Sequence, residues 1–257
     1  MLRQKLKENQ IKNPGKFRFR GTDNTRIEAL SDGVFALATA LLIISNSIPK
    51  SYAELMLFLD DLLPFTICIV LLILIWYQHY VFFIRYGFKD ATIVAINTFL
   101  LILILFYIYP LKFLFQVLYQ LFTGLFTGND EIITHLFTVV IPADKTTNLM
   151  IIYGLGAFAI FFTLALMYYV AYRRKESLEL TESEIMDTRF SMYNNILMAA
   201  IPLLSAMISI FGPDNTLTFT ISGFTYWLYM FIMPAFGTYT SRKKRKLMER
   251  LEPQDPS

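Results

Sequence analysis

Apolar runs long enough to cross a bilayer, which takes roughly 20 residues of helix, recur six times along the chain with polar segments between them. The first covers residues 28–48 and stops at Pro49, which offers no backbone donor and keeps the residue before it out of helical geometry. The second, 52–84, exceeds one straight crossing. Asp60, Asp61 and Pro64 mark its boundary or a kink, leaving 65–84 for the hydrocarbon. The third, 92–121, carries Asn97 near its start and Pro110 inside. Residues 122–148 hold the turn signals Thr123-Gly124 and Gly128-Asn129-Asp130, together with Glu131 and His135, and are expected to form an outer loop. The fourth run is 149–172, ending at Arg173-Arg174-Lys175. Residues 176–189 then read as a mixed-charge linker, soluble and partly helical. The fifth run, 190–211, and the sixth, 217–239 with Pro234 inside, are joined by a short turn. The pattern predicts an all-α integral membrane protein with six transmembrane helices.

Composition agrees with this pattern. Of 257 residues 55% are hydrophobic and 24 are Phe, more than one or two soluble domains require. Net charge is only +3, so the placement of the charges carries the information. Basic clusters precede the first run and follow the second, fourth and sixth, the last being Arg242-Lys243-Lys244-Arg245-Lys246. Six crossings with both termini cytoplasmic in the plasma membrane satisfy every junction by the positive-inside rule. Residues 1–25 are then a basic cytoplasmic tail near anionic lipid and not a nucleic-acid arm, 26–240 a transmembrane domain, and 241–257 a second basic and polar tail. No apolar segment precedes the first run, so no cleavable signal is expected. Cys68 has no partner for a disulfide or a cysteine metal site.

The chemistry gathers at one end of the first run. Arg26, Glu28, Ser31 and Asp32 occupy its opening turns, and charges so near the hydrocarbon are costly enough to have a partner or a task. Trp76, Tyr77 and Tyr80 suit the interface belt at the end of the second run. His79 beside them, and Asn97 at the start of the third, fall at the depth of Asp32, where a polar cluster would satisfy all of them. Beyond Asp32, from Gly33 to Ile44, Thr39 is the sole polar side chain. At about 100° per residue, Leu37, Leu41, Ile44 and Ile48 share one stripe, with Ala40 at its border and Val34 at the margin of the path it would line; Asp32 lies about 140° and Thr39 about 160° from Leu37. Such a stripe packs helices or meets lipid as readily as it lines a path, and periodicity does not choose between them. No nucleophile elbow, His-Glu-x-x-His or cysteine cluster points to an enzyme. A secondary transporter or proton pathway using Asp32 and His79 is the rival reading, although its titratable groups would crowd one membrane face.

The string RIEALSDGVFALA resembles the signature of the transmembrane protein 175 family, whose bacterial members carry Arg-x-x-x-Phe-Ser-Asp at the start of the first span. Here it reads Arg26, then Leu30-Ser31-Asp32, with Leu30 in place of Phe. Trp76 and His79 resemble the family's Trp-x-x-His, and Asn97 with Pro110 its third-span pattern. The resemblance implies a potassium-permeable cation channel with first helices lining a four-fold pore, no cofactor, and K+ as permeant ion. Residues 149–246 hold no second Ser-Asp-Gly signature, which implies the one-repeat form and a homotetramer among membrane lipids. It further implies a hydrophobic constriction at Leu37, Leu41 and Ile44, and a structural network of Arg26, Ser31, Asp32, Trp76, His79 and Asn97. The family often places a threonine one turn beyond the first constriction. That position is Ala40 here, with Thr39 one residue early, so weak potassium selectivity is the expectation.

Overall fold

The computed structural model describes residues 17–21, 25–44, 49–142 and 145–251. Among them every regular element is helical: α1 (Arg26–Ile44), α2 (Tyr52–Asp60), α3 (Leu62–Tyr86), α4 (Ala91–Thr127), α5 (Asp130–His135) with a π-helical turn (Leu136–Val140), α6 (Thr146–Arg173), α7 (Glu182–Phe211), α8 (Thr216–Phe224), a 3-10 turn (Thr225–Trp227) and α9 (Leu228–Leu251). Six crossings result, namely α1, α2 with α3, α4, α6, α7, and α8 with α9. The second crossing is broken at Asp61, which caps the end of α2 and opens α3, so Pro64 falls in the first turn of α3, where its missing donor costs little.

The core lies between α1, α3, α4 and α6, around Leu42, Phe82, Leu100, Ile104 and Leu164, all fully or almost fully buried. In a bilayer such burial exchanges one apolar surrounding for another, so close packing and hydrogen bonds decide which helices pair. The tightest pairing is α6 against α7. A Cβ placed on Gly154 would lie 2.6 Å from the Pro202 carbonyl oxygen and 2.8 Å from the Ala206 Cβ, so the two backbones approach where a side chain would hold them apart.

Two expectations are corrected. Residues 122–148 do not form a loop: α4 runs on to Thr127, and its 37 residues span about 55 Å at 1.5 Å each, well beyond the hydrocarbon. Thr123-Gly124, read as a turn, is helix. A Cβ on Gly124 would meet Ile133 Cγ1 at 2.8 Å, so this glycine lets α5 fold back against α4. The real turn is one step later, where Gly128 ends α4 with positive φ and the Asn129 side chain caps α5.

The second correction concerns the ends of the spans. Residues 1–16 and 22–24 lie outside the described residues, but 17–21 are not a solvated tail. Gly21 N donates to Ile84 O at 3.0 Å and Arg20 N to Arg85 O at 3.3 Å. Phe17 is buried, edge-on to Tyr86 and beneath the Arg85 guanidinium. Arg18 and Arg20 converge on Glu184, at 3.1 and 2.9 Å from Oε2. Glu184 also closes a capping box with Thr181 that starts α7 two turns before the apolar run. The linker is thereby helical from Glu182, and the segment before α1 is strapped to α3 and α7.

Candidate functional site

Helix α1 begins with a second capping box. Thr25 Oγ1 donates to Glu28 Oε1 at 3.1 Å, and Glu28 N donates back to Thr25 Oγ1 at 3.2 Å. This holds the buried Glu28 carboxylate at the helix N-terminus, where the backbone dipole favours it. The Thr-x-x-Glu spacing that announces such a box was present in the sequence, although Glu28 was read there only as one charge among several.

One turn further on, the helix is braced from behind. Ser31 is fully buried, and its hydroxyl donates to Ile27 O at 2.8 Å. Asn97 Nδ2, on α4, donates to Ser31 Oγ at 2.9 Å, which leaves Asn97 Oδ1 as the acceptor for His79 Nε2 on α3 at 2.7 Å. Since a main-chain carbonyl only accepts, the direction of the whole chain is fixed, and His79 carries its proton on Nε2. His79 is sandwiched by Phe35 and Phe83, with ring centroids at 5.6 and 4.7 Å.

Asp32 belongs to a separate branch. Trp76 Nε1 donates to Asp32 Oδ1 at 2.8 Å, and the carboxylate is exposed on the subunit surface. A cleft of about 360 Å3 opens beside it, with Phe35, Thr39 and Leu72 among its walls. Thr39 donates to Phe35 O at 3.0 Å, so its hydroxyl is held against its own helix. Arg26 is exposed, and no hydrogen bond or ion pair joins it to either branch among the described residues. The structure thus brings Ser31, Asn97 and His79 into one chain and Asp32 and Trp76 into another, and leaves Arg26 outside both.

The two sides of α1 differ sharply. Phe35, Ala38 and Leu42 are packed into the core, whereas Leu37 is 50% exposed and Ile44 72% exposed. Leu41, Val34 and Ala40 are half-buried, and Ile48 lies outside the described residues. Leu37 and Ile44 therefore face away from the packed core, with Leu41 at its boundary. A third tie fixes the far end of the helix: Lys112, buried on α4, donates from Nζ to Leu42 O at 3.3 Å, placing a cation where the helix dipole is negative. Sequence reasoning missed Lys112, since a single lysine in the middle of the third run offers no pattern.

Loss of the Asp32 carboxylate is expected to act on the seating of α1. In Asp32→Ala the indole of Trp76 loses its acceptor, and the yield of monodisperse protein in size exclusion should fall severalfold. Wild-type yield would show that this bond does not hold α1 in place.

Comparison with known proteins fits this arrangement. Residues 26–107, which hold α1, both branches and the first half of α4, match the family model described as endosomal/lysosomal potassium channel TMEM175. A protein of Marivirga tractuosa named "Potassium channel" is 46% identical over 234 residues, covering 91% of this chain and 94% of its own length. A crystal structure of a threonine-to-alanine variant of the potassium channel MtTMEM175, in complex with a nanobody fusion protein, superposes with a TM-score of 0.78 at 44% identity, covering 88% of this chain and 97% of that one. With its signature on α1, its braces on α3 and α4 and a relative this similar over nearly its whole length, the chain belongs to the TMEM175 family.

Proposed function

We propose that the chain is a potassium-permeable cation channel formed by four copies, with α1 from each around a common axis and Leu37, Leu41 and Ile44 forming stacked apolar rings. The observation that carries this reading is the division of α1 into a face sewn to its own subunit and an outward face of bare hydrocarbon. A narrow ring of Leu and Ile supplies no oxygen to replace an ion's hydration shell, so it blocks conduction by dewetting until it widens. Val34, Ala40 and Ile48 flank the rings. Ser31, Asn97 and His79, with Asp32 and Trp76, fix the rotation of α1 and do not bind the permeant ion. Thr39 lies about 160° round the helix from Leu37 and donates its proton to Phe35 O, so its hydroxyl is directed away from the proposed axis, in keeping with weak selectivity. K+ permeates and no cofactor takes part. Residues 26–240 form the conducting unit, both termini lie in the cytoplasm, and the plasma membrane is the site of action, as the basic clusters favour.

A proton relay through Asp32 and His79 gains no support from the geometry. The two groups sit in different hydrogen-bond branches, Asp32 accepting from an indole and His79 donating to a carboxamide, and neither of those carries a proton onward. The deciding measurement is the reversal potential of the purified protein in a planar bilayer under opposed K+ and Na+ gradients. Single-channel steps with a reversal displaced toward the K+ equilibrium value are expected. Electrically silent transport, or no current for either ion, rejects the channel.

A further inference from the structure

An ionisable side chain enclosed in a membrane bundle is costly enough to mark a place with a task. Lys112 is such a group: it is 5% exposed on α4, and its Nζ reaches Leu42 O in the last turn of α1 at 3.3 Å. Its charge has a counterpart nearby. Gln116, one turn further along the same face of α4, donates from Nε2 to Asp61 Oδ2 at 2.9 Å, and Lys112 is close enough to feel the charge of that carboxylate. Asp61 stands at the break between α2 and α3, so the two charges lie at the end of the bundle opposite Asp32 and His79. From Gly33 to Ile44, α1 carries no charge of its own. The field along its outward face is therefore set by groups behind it, and Lys112 touches its backbone directly. A helix with its side chains is about 10–12 Å across, which puts Nζ roughly that far from an ion passing Leu41 and Ile44. That distance is comparable to the Debye length of about 10 Å at 0.1 M salt, and the protein between screens less than water does.

We infer that Lys112 sets how readily cations enter the pore from the far end of α1, its positive charge opposing them and the Asp61 carboxylate partly offsetting it. The inference rests on the channel proposed above, with α1 at the axis and its far end on the outer side. Four copies place four such charges at one level, where apolar rings offer no counter-charge. Holding α1 and tuning entry are separable tasks. The tie needs only a donor to Leu42 O, whereas the barrier needs a charge, acts through space and fades as salt rises. With Lys112 neutral, Asp61 remains, and the outer end turns from repelling cations to attracting them.

The test is unitary current in excised inside-out patches under symmetric KCl, compared at equal voltages of either sign. Lys112→Met should raise the ratio of inward to outward current about threefold or more at 0.1 M KCl and by little at 1 M, where the Debye length is about 3 Å. Lys112→Arg should keep the wild-type ratio at both concentrations. Asp61→Asn, which retains an acceptor for Gln116, should move the ratio the other way, and it tests the assignment even where Lys112→Met yields no folded channel. The reversal potential for K+ against Na+ should stay at its wild-type value in all three, since a charge acting through space does not sort ions of equal valence. An unchanged ratio in Lys112→Met or Asp61→Asn, a change as large at 1 M as at 0.1 M, or an arginine variant that behaves like the methionine one would overturn the role of charge and leave the channel standing. A shift in open probability alone would likewise overturn it, reducing Lys112 to a tie for α1. Wild-type protein that passes no K+ rejects the channel, and this inference with it.

Discussion

Leu37→Asn is expected to raise unitary conductance or resting leak by about tenfold or more, with the oligomer intact. In the proposed tetramer, four amides in place of four isobutyl groups give water and ions polar partners at the ring, and every 1.4 kcal/mol taken from the barrier multiplies the rate by about ten. The side chain is half exposed on a single subunit, so the change removes little packing. Leu42→Asn provides the contrast. That side chain is fully buried, facing its own subunit, and a carboxamide there has no partner. Loss of folded protein is expected in place of a conductance change. Planar-bilayer recording for the first variant and monodisperse yield for the second separate the two faces of α1. Wild-type conductance in Leu37→Asn would remove the ring from the ion path.

Asn97→Leu should lower stability by breaking the brace behind α1. It strands the His79 Nε2–H among Phe35 and Phe83 and takes the donor from Ser31 Oγ. An orphaned buried donor costs about 1–3 kcal/mol, while hydrogen bonds between membrane helices are worth about 0.6 kcal/mol on average, so a loss of about 1–3 kcal/mol is expected and a thermal midpoint lower by several degrees. The double change Asn97→Leu with His79→Phe should recover most of it, since Ser31 keeps its own bond to Ile27 O and no donor is left unmet. A double variant no better than the single one would show that the amide contributes through packing and not through this chain of bonds.

What the sequence made legible followed from what it repeats. Six apolar runs gave the crossings, since a bilayer demands length and hydrocarbon whatever the fold. Ser31, Asp32, Trp76, His79 and Asn97 were visible because polar groups are scarce in such runs, and their depth could be counted from the basic ends. Which of them bond to which was not visible. Asp32 and His79 share a depth but point to different partners, a matter of helix rotation that spacing within a single run does not set. Residues 122–148 were misread for a related reason. A glycine that lets two helices touch and a glycine that ends a helix are the same letter, and Gly124 is of the first kind while Gly128 is of the second. The strap and the Lys112 tie escaped because both join residues distant in sequence, Arg18 and Arg20 with Glu184, and Lys112 with Leu42.

Those ties make α1 a fixed part of its subunit. It is held near its start by the strap four residues before Thr25, a turn later by Ser31, and at its far end by Lys112. In the proposed pore, a helix pinned at three heights would not roll its leucines out of the axis alone. In a tetramer, any widening would have to be a rocking of whole subunits, and the stiffness of the gate would be set at the seams between copies. Changes at those seams would then shift how often the pore opens, while the hydrocarbon of α1 would govern how much passes once it has opened.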